Sequence, residues 1–99
     1  MSFTLTGKAK SDLKAIAIFT EQRWGKEQRN LYVKQMDDAF HLLADVPMTG
    51  IACDYIKSGY RKFPQGSHMI FYRMVKNSDV EIVRILHKSM DVESKFINP

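Results

Sequence analysis

Two stretches of helical periodicity joined by a single glycine constrain the fold of this chain more than any other feature. From about Lys8 to Trp24, and again from about Lys26 to Asp45, apolar residues recur at intervals of three and four, as in amphipathic helices. Gly25 lies between the stretches and Pro47 ends the second, so the two helices are predicted to fold back on each other as a hairpin. The inner stripes comprise Ala9, Leu13, Ile16, Ala17, Thr20 and Trp24 in the first helix, and Tyr32, Met36, Ala39, Phe40 and Leu43 in the second.

The rest of the chain has the alternation typical of β-strands. Three candidate strands, Tyr60–Phe63, Ser67–Val75 and Val80–His87, are separated by the turn sequences PQG and KNSD. Residues 2–6 form a shorter candidate before the first helix, and the loop 47–59 has room for one short extended piece. Because short turns between consecutive strands favour antiparallel pairing, we expect an α+β fold of order β-α-α-β-β-β. In this fold the helical hairpin packs on one face of an antiparallel sheet, and a short C-terminal tail or helix follows.

The candidate strands carry apolar residues on both faces. Met69 and Phe71 alternate with Ile70 and Tyr72, so neither face is a typical solvent face, and one helical hairpin covers only one of them. We expect the C-terminal residues 91–99 or another molecule to cover the second face. Since a chain of 99 residues supports one core, we expect a single domain spanning residues 1–99.

The composition is that of an ordinary globular protein. It has 44% hydrophobic and 26% charged residues, with no apolar run long enough for a membrane span. The N-terminal sequence lacks the apolar run of a secretory signal, and the single cysteine, Cys53, cannot form an internal disulfide. We therefore expect an intracellular, cytoplasmic protein with no membrane partner. The net charge of +4 is compatible with an anionic partner, but the basic residues form no block.

No motif for a metal site, a phosphate-binding loop or an activated nucleophile occurs, so we expect no metal and no cofactor, and we interpret Cys53 as a passive thiol. Metal-free RNA cleavage, which needs a base, an acid and cations around a phosphate, could still use basic and aromatic strand residues. These are Tyr60, Arg61, Lys62, His68, Tyr72, Arg73, Arg84, His87 and Lys88. Strand alternation places Arg84 and His87 on opposite faces unless a bulge intervenes. Charged residues that protect the edges of exposed strands would give the same sequence pattern without any catalytic role.

Several apolar side chains lie off the two inner stripes. Ile18 is almost opposite the stripe of the first helix, with Ala15 and Phe19 beside it, while Leu31 and Leu42 flank the second stripe. A wide hairpin interface could cover any one of them. As a set they indicate a surface for a partner.

Four segments in this order carry a family resemblance: QRWG at 22–25, PMTG at 47–50, SGYRKFPQGSHMIFYR at 58–73 and VEIVRILHKSMD at 80–91. They resemble the ParE toxins of the RelE/ParE superfamily, which belong to bacterial type II toxin-antitoxin modules. The resemblance spans nearly the whole chain and implies a ParD-like antitoxin as partner. For its contact we expect the off-stripe residues and the end of the first helix, namely Ala15, Ile18, Phe19, Trp24, Leu31 and Leu42.

The resemblance implies one of two activities. RelE-like members cleave messenger RNA on the ribosome, whereas ParE-like members inhibit DNA gyrase and hence replication. His68 stands where a phosphate-binding arginine is expected in RelE-like toxins, and Lys88 where some nucleases have a tyrosine, so gyrase inhibition without catalysis is favoured. Ile51 follows Gly50 where ParE toxins frequently have an arginine. If that arginine helps to bind gyrase, its absence here lowers the expected potency against gyrase.

The alternatives are a ribosome-dependent RNA endonuclease that uses His87, Arg84, Arg61 and Lys62, and a non-toxic antitoxin-binding module. For the target surface we predict Tyr60, Arg61, Lys62, His87 and Lys88, with no sequence-specific binding of nucleic acid.

Overall fold

The computed structural model describes residues 2–90 and Phe96. Its elements are β1 (Phe3–Leu5), α1 (Gly7–Trp24), α2 (Lys26–Asp45), β2 (Ile51–Ala52), β3 (Tyr60–Gln65), β4 (His68–Met74) and β5 (Val80–His87). The predicted α+β class and order are confirmed, with the short piece in the loop present as β2. Of the described helices, neither α1 nor α2 has the length and apolar character needed to cross a bilayer.

The helical hairpin begins and turns at capping residues. The Thr6 hydroxyl accepts a hydrogen bond of 3.1 Å from the backbone nitrogen of Ala9, which satisfies one of the free donors at the start of α1. Gly25 has a φ of 95°, a conformation that side chains with a Cβ rarely adopt, and it separates the two helices. A salt bridge of 2.6 Å between Arg29 and Glu21 then joins α2 to α1 beside the turn. The predicted hairpin is therefore confirmed.

The sheet has the order β1-β5-β4-β3-β2 and is mixed. Strands β2 to β5 pair antiparallel with their sequence neighbours, but β1 pairs parallel with β5, with Phe3 opposite Val80 and Leu5 opposite Ile82. This departs from the wholly antiparallel sheet predicted above. Turn length sets the pairing only of consecutive strands, and the two helices between β1 and β2 leave β1 free to join the far edge.

The β3–β4 hairpin is longer than predicted. Pro64 and Gln65 belong to β3 and pair with Met69 and His68, so the strand continues past the predicted end at Phe63. Proline is tolerated here because β2 pairs only with Arg61 and Lys62, so Pro64 has a strand neighbour on one side only. Gly66, with a φ of 57°, makes the turn.

Two apolar clusters lie on the two faces of the sheet. The larger, between helices and sheet, includes Ala9, Ile16, Met36, Ala39, Phe40, Leu43, Ile70, Tyr72, Val80, Ile82 and Ile85. The smaller is formed by Cys53, Tyr60, Phe71 and Leu86. The ring of Phe96 packs on this second cluster, with its centroid 5.6 Å from that of Tyr60 and 5.1 Å from that of Phe71. Phe96 thus supports the expectation that C-terminal residues cover the second face, while 91–95 and 97–99 lie outside the described residues.

Asp12 of α1 joins the helical layer to β5. Its carboxylate accepts hydrogen bonds from Nε and Nη2 of Arg84 at 2.7 and 2.9 Å, and from the backbone nitrogen of Ile85 at 3.0 Å. The Asp12 and Arg84 side chains are only 14% and 17% exposed. The hydrogen bond to Asp12 raises the pKa of Arg84, outweighing the opposing effect of burial. The two-point contact fixes the orientation of both side chains.

A bulge in β5 lies just before the Asp12 contact. Phe71 faces Arg84 and Tyr72 faces Ile82, so Val83 is an extra residue in β5. From Arg84 to His87 the pairing is regular, with Arg84 opposite Phe71 and His87 opposite His68, so strand alternation between Arg84 and His87 is kept. Arg84 reaches Asp12 because the pairing of β5 with β1 ends at Ile82, which leaves the edge of β5 open to Asp12 at Ile85.

We expect Asp12→Asn to lower the free energy of unfolding by about 2–4 kcal/mol, because Arg84 would stay largely buried without its anion. Urea denaturation measures the change. Asp38→Asn is the matched control, since Asp38 forms an exposed pair with Lys34 on α2, and its loss should cost about 0.5 kcal/mol or less. Equal effects of the two substitutions would contradict the structural role of Asp12.

Candidate functional site

A groove of about 850 Å³ opens between the helical hairpin and one end of the sheet. The helices form one wall, and the β3–β4 turn and the end of β5 form the other. Its lining residues are Ala15, Ile16, Phe19, Thr20, Trp24, Gln28, Tyr32, Ser67, His68, His87, Ser89 and Met90. The groove is therefore apolar along α1 and polar at the strand ends.

Two aromatic side chains dominate the apolar wall. Phe19 is 64% exposed and Trp24 is 65% exposed. The predicted place of Trp24 on the inner stripe is wrong, because Trp24 is the last residue of α1 and the chain turns away at Gly25. The Arg23 guanidinium lies 5.2 Å from the centre of the Trp24 ring. Such a pair of large exposed rings beside a groove is typical of a binding surface.

The polar end is organised around the Tyr32 hydroxyl. This oxygen lies 2.7 Å from Nδ1 of His68, accepts a bond of 3.0 Å from the Ser67 backbone nitrogen, and lies 3.2 Å from the Gln65 carbonyl oxygen. Burial raises the pKa of Tyr32, so the phenol keeps its proton and donates it. Tyr32 thereby holds His68 and the β3–β4 turn against α2.

His68 and His87 face each other at this end. Their rings are edge-to-face, with centroids 5.4 Å apart. Burial lowers the pKa of His68, the neighbouring His87 lowers it further, and Asp12 opposes both effects. The Tyr32 hydroxyl lies closer to Nδ1 of His68, at 2.7 Å, than to the Gln65 carbonyl oxygen, at 3.2 Å, so we assign its proton to Nδ1 and the ring proton of neutral His68 to Nε2. In His87, Nδ1 accepts the Ser89 N–H at 3.1 Å, which leaves Nε2 as the N–H of that ring.

The predicted antitoxin-contact residues divide into two groups. Ala15, Phe19 and Trp24 line the groove. The others, Ile18, Leu31 and Leu42, are also exposed but do not line it. Periodicity therefore located apolar residues outside the core, but it did not distinguish those beside the groove from those on the outer helix surfaces.

The predicted target and nuclease residues are not brought together. Tyr60 is buried in the second cluster, and Arg61 donates to the Gly50 carbonyl oxygen at 2.6 Å. Lys62 donates to the Tyr55 hydroxyl at 2.9 Å. In register, Arg61 faces Tyr72, whereas His87 lies level with His68 and Gln65 at the other end of β3.

Of the remaining predicted residues, Arg84 is occupied by Asp12 and only Lys88 lies next to His87 in the chain. The Lys88 backbone nitrogen donates to the Ser67 carbonyl oxygen at 3.0 Å, which ties the end of β5 to the β3–β4 turn, while the Lys88 side chain does not line the groove. The contact between Tyr32 and His68 is not predictable from the sequence. Tyr32 belongs to the predicted inner stripe of α2, and no local signal indicates that it meets His68.

Within residues 2–90, no group of three His, Cys, Asp or Glu side chains is placed to hold a metal ion. Cys53 is fully buried, and burial raises the pKa of its thiol. A buried thiol with a raised pKa carries little thiolate at neutral pH and is a poor nucleophile. The interpretation of Cys53 as a passive thiol agrees with this environment.

Residues 3–92 match the family model described as "ParE toxin of type II toxin-antitoxin system, parDE". The chain belongs to this ParE toxin family. Toxin ParE1 of Mycobacterium tuberculosis is 38% identical over 91 residues, which cover 92% of this chain and 93% of that protein. Toxin ParE1 of Caulobacter vibrioides is 37% identical over 92 residues, covering 93% and 94%. The resemblance found in the sequence is confirmed, and this ParE protein is the toxin component of a type II toxin-antitoxin module.

The fold is also shared with a chain in a solved structure of a ParDE system. A chain of the "Chromosomal ParDE TA system from P. aeruginosa" superposes with a TM-score of 0.72 and 26% sequence identity. The match covers 88% of this chain and 95% of that chain. The overall fold that encloses the groove is therefore shared with that chain.

We expect the stability of this ParE toxin to fall in acid partly because of His68. Since the pKa of His68 is lowered from 6.5, the unfolded chain binds a proton that the folded chain rejects as the pH drops below about 6.5. His68→Asn keeps a polar atom near the Tyr32 hydroxyl but cannot titrate. It should flatten the loss of unfolding free energy as the pH falls below about 6.5.

Urea denaturation at a series of pH values tests this expectation. His41→Gln is the control, because His41 lies on the exposed side of α2 beside Asp37. If His68→Asn and His41→Gln gave the same pH dependence, the burial of His68 would have no role in it.

Proposed function

We propose that this ParE toxin is held inactive by a ParD-like antitoxin that occupies the groove, and that the released toxin inhibits DNA gyrase in the cytoplasm. The observation that carries the first part is the exposure of Phe19 and Trp24 above the groove. Large exposed rings cost free energy in water and contribute strongly to binding when a partner covers them.

The shape of the groove favours a helical or extended segment over a small ligand. It is lined by residues from the end of α1 to the end of β5 and is partly open to solvent. An amphipathic segment can place apolar side chains against Phe19 and Trp24 while its polar side stays in water. The similar P. aeruginosa chain comes from a ParDE system, which supports an antitoxin of the ParD kind as the occupant.

The arrangement of the basic residues favours gyrase inhibition over RNA cleavage. A nuclease must bring a base, an acid and cations to one phosphate. Here Arg84 is bound by Asp12, and Arg61 is bound to the Gly50 carbonyl at the other end of the sheet from His87. This separation supports a toxin that acts by binding its target without catalysis.

For contact with gyrase we propose Arg61, Lys62, His87 and Lys88. Tyr60 is too deeply buried to contact a target directly. Its ring lies 5.8 Å from Nζ of Lys57 and 5.6 Å from the Phe96 ring. We therefore assign Tyr60 a supporting role beneath this surface.

A supercoiling assay with purified gyrase tests the proposed target. The toxin should inhibit supercoiling or cause cleaved DNA to accumulate, and addition of the antitoxin should restore activity. Gyrase that is unaffected by excess toxin would contradict the proposal. Cleavage within codons, found by mapping transcript ends after expression, would favour the endonuclease alternative, and normal growth without antitoxin would favour a non-toxic binding module.

We expect Phe19→Asp to weaken antitoxin binding more than about tenfold, or ~1.4 kcal/mol, because the complex would bury an unpaired charge. Met48→Asp is a matched control, since Met48 is 63% exposed and does not line the groove. Titration calorimetry with folded variants measures both affinities. Equal losses of affinity in the two variants would show that the groove is not the antitoxin interface.

Ile18→Asp extends the same experiment. The sequence predicts the same loss for Ile18, which is exposed but outside the groove. A loss at Ile18 as large as that at Phe19 would mean that the antitoxin also covers the outer side of α1, whereas an effect at Phe19 alone would confine it to the groove.

A further inference from the structure

The polar end of the groove presents two hydrogen-bond donors that the described residues leave unused. Tyr32 occupies Nδ1 of His68, and Ser89 occupies Nδ1 of His87. Among the hydrogen bonds of residues 2–90, none engages Nε2 of either ring. No buried unpaired side-chain nitrogen is present in the described part of the chain, so Nε2 of the half-buried His68 is accessible from the groove.

The two donors favour an acceptor, because each Nδ1 lone pair is already used. Among acceptors, an anion forms the stronger, charge-assisted bonds. No Asp, Glu, Lys or Arg side chain lines the groove within the described residues, so no charge within it competes for an incoming anion. The ring centroids are 5.4 Å apart, which suits the two oxygens of one carboxylate bridging both rings.

We propose that the antitoxin segment in the groove carries an Asp or Glu whose carboxylate binds between His68 and His87. This inference rests on the proposed function, because it takes the antitoxin as the occupant. The segment would then have two kinds of anchor, apolar side chains against Phe19 and Trp24 and one carboxylate at the strand ends. A chain with net charge +4 also attracts an acidic segment from a distance.

Protonation links this contact to pH. The groups around the two rings are the Tyr32 hydroxyl from α2, the Asp12 carboxylate from α1 and Lys88 at the end of β5. Asp12 is already paired with Arg84. In the free toxin, burial and the neighbouring ring oppose a proton on His68, as its lowered pKa reflects. A bound carboxylate reverses the balance and raises the pKa of the histidine that it contacts.

The complex then holds a proton that the free toxin lacks. The histidine pKa is then higher in the complex than in the free toxin. The affinity of the toxin for the antitoxin should therefore rise as the pH falls through the interval between these two pKa values. A purely apolar groove contact would show no such dependence.

The experiment measures the dissociation constant of the toxin and a full-length ParD-like antitoxin that binds it, by calorimetry from about pH 5.5 to about pH 8. Wild-type toxin should bind roughly tenfold more tightly at the acid end. The double variant His68→Gln with His87→Gln keeps N–H donors near the Nε2 positions but cannot take up a proton. It should still bind, with a flat pH profile.

Two further variants make the result specific. His41→Gln changes a histidine outside the groove and should keep the wild-type profile. The single variant His87→Gln changes an exposed side chain, so it tests the idea even if the double variant fails to fold. On the antitoxin, replacing one Asp or Glu by its amide should flatten the profile of the wild-type toxin and leave that of the double variant His68→Gln with His87→Gln nearly unchanged.

The outcomes separate this inference from the proposed function. If wild-type and His→Gln toxins showed the same pH dependence, or if no antitoxin carboxylate affected it, the carboxylate contact would be overturned while the groove remained the antitoxin site. If the antitoxin did not bind wild-type toxin at all, both would fail. The contact is supported if the His→Gln toxins bind with a flat pH profile and if replacing one antitoxin carboxylate flattens the profile of the wild-type toxin.

Discussion

The pair formed by Asp12 and Arg84 is the interaction on which the arrangement of the two layers depends. One carboxylate binds the guanidinium at two points and also the Ile85 N–H, so a single side chain of α1 meets both a side chain and the backbone of β5. This fixes the position of α1 along the strand. Phe19 follows Asp12 by roughly two helical turns, or about 10 Å, and so lies above the strand end that carries His87.

The open edge of β5 explains how an arginine that pairs opposite Phe71 contacts the helical layer. Pairing with β1 ends at Ile82, so Asp12 meets the Arg84 guanidinium and the Ile85 N–H at this edge. The guanidinium of Arg84 is thereby bound by a side chain of the protein itself. Arg84, one of the residues named for the nuclease alternative, is therefore poorly available to an external ligand.

The helical hairpin is predictable from the sequence because its signals are local: two stripes, Gly25 between them and Pro47 after them. The parallel pairing of β1 with β5 is not, since it joins Phe3 to Val80 with no turn between them to indicate it. The site shows the same division. Exposed apolar residues such as Phe19 follow from periodicity, whereas the meeting of Tyr32, His68 and His87 arises only when the helix, turn and strand come together.

The position of Phe96 on the second cluster determines how much of the core depends on a partner protein for its cover. A residue near the end of the chain contributes its own ring to the cover of Tyr60 and Phe71, so this part of the sheet gains cover without a second protein. A partner that binds only the groove adds its binding energy to a core that is already closed, and mass action makes the toxin more stable only while that partner is present. Since Phe96 already covers this part of the core, the toxin does not depend on a groove-bound partner for the cover of Tyr60 and Phe71.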